Sequence, residues 1–528
     1  VTGTALPGAG LLPARPARSI VPGERIHVVG AAGAGASAAV LHASWAGAVV
    51  DGCDPGGPSP YTAAIDAAGI ALAWEHAAAH VTRTPGPDRL AVTKALTAID
   101  PDHPELVAAR RAGIPIEPWQ QVIADAAVGR TLIGVAGTHG KSTTAGWLVH
   151  VLHAAGADPS AFVGALLPPA LTGGPAATAR RGDGPAFVVE ADEYAGNFDA
   201  YRPAIAIVTS AEWDHPDVFA DRAAVVATLD SWLRAAARSG DDAAAGSQIG
   251  PIAVINVADA GAAELAAGLR DWPGTILASA LVDTDSARAA SFGRGIADQY
   301  LTAAGPARAL LGRITGRNED ATTIEIHGLG ELRGALQVRL PTAGRHNAAN
   351  ALGVAGAALA AGIAPDAIVA GLASFGGIGR RLERKGEVAG VVVFDDYGHH
   401  PTAIRETLAA LRQRAPGRRV WAVYEPLTFH RTAALLDDFA EVLATADAVA
   451  IADIWAGRDP DTTIVSAAAL AEAVAARNPS IPVAAPGSVE ATAAWLAREV
   501  RSGDAVLVMG GGRSYRIGEL LLEALADR

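Results

Sequence analysis

The chain has 528 residues, enough for about three domains, and its formal net charge of −13 argues against nucleic acid or a membrane surface as the main partner, because both need concentrated positive charge. A single cysteine, Cys53, excludes an internal disulfide framework and fits a reducing compartment, with the cytoplasm as the expected location. No stretch of 18 apolar residues runs free of charge and glycine, so no membrane-spanning helix is expected.

Residues 1–22, interrupted by Pro7, Gly8 and Gly10, read as a flexible tail that is neither signal nor anchor. Residues 23–128 follow as a first domain. Arg25 to Val29 has the pattern of a strand, and Gly33, Gly35 and Ala38 then satisfy the glycine pattern of a first βα turn, with Ser37 inside it. A second strand, Ala48 to Val50, ends near Asp51 and Asp54. Such a turn either places a diphosphate on the helix N-terminus or is a tight turn with no ligand, and NAD is only one molecule that carries a diphosphate. Further strand and helix patterns run through Leu90 to Thr93 and past His103 to Gly113, with Trp119 as a packing residue.

A central domain is expected over residues 129–374, organised by TLIGVAGTHGKSTT at 131–144. An apolar strand, Thr131 to Val135, runs into a turn where Gly137 and Gly140, with Thr138 between them, bend backbone N–H groups inward. A helix follows whose N-terminus would face an anion. Lys141 is placed to reach terminal phosphates, and Ser142 or Thr143 to hold Mg²⁺. The pattern is GxxGK[ST], since Val135 stands where the full phosphate-loop motif has glycine. Two later strands end in chemistry-bearing residues. Ala186 to Glu190 leads into Asp192, Glu193 and Tyr194, and Ile205 to Thr209 leads into Glu212, Asp214 and His215, groups suited to Mg²⁺ or phosphate chemistry. Ile252 to Asn256, with Asp259 after it, reads as a turn-forming segment. Residues 260–330 read as strands and loops with no assigned role. Asn347 and Asn350, three apart on a helix, share a face and could both address one planar base.

The last domain is expected over residues 375–528. Gly379-Arg380-Arg381 precedes two strands, and the second, Val391 to Phe394, runs into Asp395, Asp396, Tyr397, His399 and His400, a polar set that packing alone explains poorly. Another strand leads to Glu425-Pro426-Leu427-Thr428-Phe429-His430-Arg431, and the last ends in a glycine turn, Gly510 to Ser514. The alternation of strands and helices throughout predicts an α/β protein of three domains with mostly parallel sheets.

In order, GTHGKSTT, EADEY, WDH, GRHNAAN, GRR and DDYGHHP resemble the Mur ligase family, the ATP-dependent amide-bond-forming enzymes of peptidoglycan synthesis, from about Arg25 to the C-terminus. The resemblance implies a Rossmann-like N-terminal domain that holds a UDP-sugar, a central P-loop ATPase domain and a Rossmann-like C-terminal ligase domain. It implies that L-alanine is joined to the carboxylate of UDP-N-acetylmuramate through an acyl phosphate, with ATP and Mg²⁺ required.

By the same resemblance, Gly137, Thr138, Gly140, Lys141, Ser142 and Thr143 would hold the ATP phosphates, and Ser142, Glu190 and His215 the metal. Asn347 and Asn350 would contact adenine, Arg380 a phosphate, and Asp395 or Asp396 the ribose end. Tyr397, His399 and Arg431 would face the amino acid or the intermediate, and Gly33, Gly35, Ser37 and Asp54 the uridine diphosphate, which displaces the NAD reading. The departures lie on the substrate side: Ala32, Ala36 and Ala38 in the first loop, Leu427 where histidine is common, and Arg513-Ser514 where an acidic residue is usual. Two other readings are a ligase that recycles murein tripeptide onto the same sugar and a non-catalytic UDP-sugar or ATP-binding regulator.

Overall fold

Apolar strands alternating with alanine-rich helices build three sheets in the computed structural model, which describes residues 7–239, 250–282, 295–296, 298–329, 335–457, 459 and 461–527. The first sheet is wholly parallel, in the order Leu72–Ala73, Val49–Cys53, Arg25–Val29, Arg89–Val92, Ile116–Pro118. The second has ten strands. Its parallel centre runs from Thr275–Leu281 through Ile252–Asn256, Ile205–Val208, Thr131–Ala136 and Ala186–Glu190 to Ser160–Leu167. Arg308–Arg317 joins in parallel, and the antiparallel strands Thr322–His327 and Leu336–Leu340 extend that edge. The third sheet, residues 383–510, has Val391–Asp396, Asp504–Gly510, Arg419–Glu425, Ala448–Ala452 and Val483–Gly487 in parallel, with Glu383–Val388 antiparallel at its edge. Parallel strands buried on both faces require helices on both sides, which gives the three-domain α/β architecture.

Two segments differ from the sequence reading. Within 260–330, expected as strands and loops, Ala260–Gly268 is a helix, because the Asp259 side chain accepts from the Ala262 N–H and caps it. Residues 283–294 of that region lie outside the described residues. The expected flexible tail is fastened from residue 7 onward. Gly8 donates to the Lys94 carbonyl and Leu12 to that of Ile116, so the segment runs across the first domain. Arg15 then forks onto Glu117 and Asp125, each at 2.7 Å. Arg89 meets the same two carboxylates from within, at 2.8 and 2.6 Å. Two cations thus share two buried anions.

The first domain docks on the second through helix Ala34–Trp45, which lies against Ser160–Leu167 and Ala177–Arg180. Its His42 ring is buried between Trp45 and Phe187, with Nε2 2.9 Å from the Ala161 carbonyl. Burial pushes His42 down to about 4, so it is neutral and acts as a packing and hydrogen-bonding group.

Because Asp125 answers both Arg15 and Arg89 in the interior, Asp125→Ala leaves two guanidinium groups to share Glu117 and buried positive charge only partly compensated. A loss of about 3–5 kcal/mol in urea-unfolding stability is expected. Arg222→Ala, which removes an exposed 3.4 Å pair with Glu264, should change the same measurement by no more than about 0.5 kcal/mol.

Candidate active site

Strand Thr131–Ala136 lies between Ala186–Glu190 and Ile205–Val208 in the central sheet, all parallel, so three strand ends open on one edge. Val135, the residue that replaces the motif glycine, is fully buried inside the strand opposite Glu190 and Ile207, and the turn begins only at Gly137. Gly137 has φ +124, and a β-carbon there would lie 2.4 Å from Thr209 Oγ1. Gly140, at φ +79, is the N-cap of helix Lys141–Ala154, and a β-carbon on it would lie 2.6 Å from Asn350 Oδ1. Both positions therefore require glycine. No side chain caps this helix, so its first N–H groups face the cleft as an anion site. The turn is held open by the neighbouring loop. Thr138 Oγ1 donates to the Glu212 carbonyl and accepts from the Glu212 N–H, and the His139 N–H donates to Ser210 Oγ.

Lys141 Nζ donates to the Gly137 carbonyl at 2.7 Å and to Glu193 at 3.1 Å, with Asp192 at 3.8 Å. Burial alone would depress this ammonium, but Glu193, Asp192 and Glu190 hold it charged and above its ordinary range. Ser142 Oγ donates to Glu190 at 2.9 Å and accepts from Arg381 at 2.8 Å. The other Glu190 oxygen accepts the Gly164 N–H at 2.6 Å. His215 groups instead with Asp192 and Glu193, one ligand atom of each lying within 4.8 Å of the others. Arg431 is buried beside it, donating from Nε to Asp214 at 2.7 Å and from Nη2 to His215 Nδ1 at 3.0 Å. Burial would raise the Asp214 carboxyl, yet His215 and Arg431 hold it well below the usual carboxylate range.

Two clefts meet at the glycine turn. One, of about 320 Å³, is bounded by Thr143, Asn347, Asn350, Phe375, Ile378 and Asp396. Asn350 Nδ2 lies 3.5 Å from Asn347 Oδ1, so the amides present one edge together. The other, of about 550 Å³, is where the three sheets converge. Gly33, Gly35 and Trp119 come from the first, Lys141, Glu190 and His215 from the second, and Tyr397, His399, Leu427 and Arg431 from the third. His139, Gly140 and Arg381 border both.

Four residues expected at ligands are placed elsewhere. Ser37 is fully buried, donating to the Ala34 carbonyl and meeting Thr178 Oγ1 at 3.0 Å across the domain junction. The Asp54 carboxylate accepts from the N–H groups of Ala32 and Gly56, a turn-holding role outside both clefts. Arg380 turns into its own domain, bonding Asp395 at 2.9 Å, Ser514 Oγ at 2.8 Å and the Gly510 carbonyl at 2.9 Å. That contact also occupies Asp395, which is fully buried, so of the two aspartates only Asp396 borders the smaller cleft. The residue that reaches the turn is Arg381. Gly35 does line the larger cleft, but a β-carbon on it would lie 2.2 Å from Trp119, so its missing side chain makes room for that indole.

Some residues at the site were not singled out from the sequence. Glu193 was visible only as part of an acidic run. Lys94, whose Nζ donates to the carbonyls of Ala195 and Gly196 at 2.8 and 2.6 Å, has no local motif at all. Two of the three substrate-side departures, both in the third domain, are absorbed by packing. Leu427 covers Gly511, where a β-carbon would lie 2.7 Å away, and Arg513-Ser514 follow a turn seated over the carboxyl group of Glu425.

Comparison with known proteins agrees along nearly the whole chain. Residues 25–131 match the Mur ligase family catalytic domain, 135–358 the Mur ligase middle domain, and 380–512 the Mur ligase glutamate ligase domain. The chain is 35% identical to a UDP-N-acetylmuramate–L-alanine ligase of Frankia casuarinae, over 95% of this chain and 98% of that protein. A protein of the same name from Mycobacterium sp. strain JLS is 36% identical, over 96% of each. Two solved structures share the fold. The UDP-N-acetylmuramate–alanine ligase of Thermotoga maritima has a TM-score of 0.71 at 21% identity, with 94% of this chain and 98% of that one covered. The murein peptide ligase of Psychrobacter arcticus has 0.66 at 24%, with 96% and 99% covered.

The carboxyl group under the last glycine turn gives the site a pH signature. Burial raises Glu425 from 4.5 to about 7, against the N–H groups of Ser514 and Arg513 and the charge of Arg380. The folded chain therefore holds the protonated form better than the unfolded chain does. The stability this contributes is complete below pH 4.5 and is lost as pH rises through 7, a span of up to about 3 kcal/mol. Glu425→Gln should raise the melting temperature over the parent at pH 8 and leave it nearly unchanged at pH 5, as read by scanning calorimetry.

Proposed function

The chain belongs to the Mur ligase family, and from that premise we propose that it joins the amine of L-alanine to the carboxylate of UDP-N-acetylmuramate with conversion of ATP to ADP and phosphate. The observation that carries this reading is the meeting of a base-sized cleft and a larger three-domain cleft at one uncapped helix N-terminus beside Lys141. A phosphoryl group held there is shared between nucleotide and acceptor. The names of the relatives supply the acceptor and the amine.

In this reading residues 129–374 hold ATP, with adenine against Asn347 and Asn350 and the phosphates over Gly137 to Thr143. Residues 23–128 contribute Gly33, Gly35 and Trp119 to the sugar nucleotide, and residues 375–528 contribute Arg381, Tyr397, His399 and Arg431. The substrate carboxylate attacks the γ-phosphorus in line, the bond to the ADP oxygen breaks, and an acyl phosphate forms. The alanine amine then adds to the acyl carbon, loses a proton, and phosphate leaves with the C–O bond electrons. Lys141 and Arg381 supply fixed positive charge where the phosphoryl oxygens gather. The Ser142–Glu190 oxygen pair suits a hard divalent cation, and Mg²⁺ held there would supply further neutralisation of phosphate charge, while His215 stands with Asp192 and Glu193 instead.

In this reading His399 takes the amine proton, a role its ring chemistry supports. Its Nδ1 donates to the Tyr397 carbonyl at 3.0 Å, which leaves the lone pair on Nε2. Burial, with Arg431 adding to it, keeps the ring well below its ordinary pKa and neutral. The likeness to a murein peptide ligase is one of fold, and nothing in the site favours a tripeptide over alanine. Among the described residues no helix is long and apolar enough to cross a membrane, and we place the reaction in the cytoplasm, where the lone thiol stays reduced.

Purified protein given ATP, Mg²⁺ and UDP-N-acetylmuramate should release phosphate only when L-alanine is added, with the UDP-muramoyl-alanine mass as product. Release with the tripeptide alone would reassign it to recycling, and no release despite ATP binding would favour the regulator. Lys141→Ala should lower kcat by about 100- to 1,000-fold. Turnover near that of the parent would remove Lys141 from the chemistry.

A further inference from the structure

Away from both clefts, the first domain gathers the chain's only cysteine with several histidines and a carboxylate. Glu105, fully buried on helix Pro104–Ala112, is the hub. Its Oε1 faces His80 Nδ1 at 2.9 Å and Cys53 Sγ at 3.2 Å and also accepts the Ala77 N–H at 3.0 Å, while Oε2 faces His27 Nε2 at 3.1 Å. One ligand atom from each of His27, Cys53, His80 and Glu105 lies within 4.8 Å of the others. They come from two strands and two helices, so the fold rather than local sequence brings them together.

One further observation points to a bound ion rather than a hydrogen-bonded knot. His27 Nδ1 is held by Asp51 at 2.8 Å, and Asp51 is paired in turn with Arg83. A carboxylate on the far ring nitrogen is the arrangement that orients a metal-binding imidazole.

We propose that this pocket is a structural site for one Zn²⁺ or similar transition-metal ion, with His27, Cys53, His80 and Glu105 as ligands. Thiolate, imidazole and carboxylate together select a borderline ion over Mg²⁺, and four protein ligands close the coordination sphere, which makes the site structural rather than catalytic. On binding, the Sγ–H bond of Cys53 breaks, its proton goes to solvent and an Sγ–metal bond forms with no change in oxidation state. The ion would tie strands Arg25–Val29 and Val49–Cys53 to the helices that cover them.

Full-length protein stripped with a chelator and titrated with Co²⁺, without nucleotide, should develop a thiolate-to-cobalt charge-transfer band that saturates near about one equivalent. Because Cys53 is the only cysteine, ions bound near Lys141 cannot produce that band. Cys53→Ser should abolish it, and Asp51→Asn should weaken Zn²⁺ binding about 10- to 100-fold in competition with a chromogenic chelator. A parent protein that remains folded yet shows no band overturns the proposal, whether or not Cys53→Ser folds. Equal Zn²⁺ affinity of the parent and Asp51→Asn likewise removes Asp51 and the orientation argument.

Discussion

An ammonium largely withdrawn from water must be neutralised, and the arrangement around Lys141 follows from that requirement. The Gly137 carbonyl and the Glu193 carboxylate hold Nζ from opposite sides, one from the glycine turn and the other from the loop after the neighbouring strand. The first contact is local to the turn, and the second requires Thr131–Ala136 and Ala186–Glu190 to be parallel neighbours whose ends are level. Register, turn and charge are therefore one constraint. Glu193 itself is raised by burial and held down mainly by Lys141, so removing the cation takes away the chief interaction that keeps that carboxylate ionised.

The third domain is fastened to the second through loops that border the two clefts. Arg381 donates to Ser142, Thr402 to Glu212 at 2.7 Å and Arg431 to Asp214, while His400 Nε2 lies 3.2 Å from the Trp213 carbonyl. These partners on the central domain are in the helix that starts at Lys141 or in the loop after Ile205–Val208, and a second set of bonds joins Gln413 to the Asn318 and Ala321 carbonyls and Arg414 to that of Pro341. Docking and site assembly are therefore coupled: separating the domains would strip Ser142 of its guanidinium and His215 of Arg431. The inward turn of Arg380 belongs to this logic. With φ +57 and its guanidinium on Asp395, Gly510 and Ser514, it fixes the loop from which Arg381 projects.

Much of the fold was legible because the parallel strands at the sheet centres are short apolar runs followed by glycine or polar residues, and in a parallel sheet such ends gather at one edge. The glycine turn and the histidine-rich loop of the third domain could be read in this way, and the asparagine pair from its three-residue spacing on a helix. What could not be read depends on which way a side chain turns. Arg380 and Arg381 are adjacent and identical, and only the left-handed backbone at Arg380 sends the second toward Ser142. Residues 7–22 lack periodicity, and what orders them is a pair of acids about a hundred positions away. The cluster around Glu105 is invisible for the same reason, its ligands being spread from His27 to Glu105.

The alanines that replace glycine and methionine in the first loop take their meaning from the junction they face. Ala36 and Ala38 are buried in the apolar cluster that continues through Ala177, Ala179 and Phe187 into the central sheet. Ser37 between them meets Thr178. Helix Ala34–Trp45 is thus a docking surface along the side chains that a diphosphate loop would be expected to present. Small β-carbons permit that close approach, and Gly35 remains glycine because Trp119 fills its place. A ligand in the larger cleft would meet the exposed edge at Gly33, the Trp119 ring and Lys94, while Ser37 stays sealed behind them. The alanines therefore pack the first domain against the second, and the part of the loop that borders the larger cleft most openly is the one that Gly33 and Trp119 define.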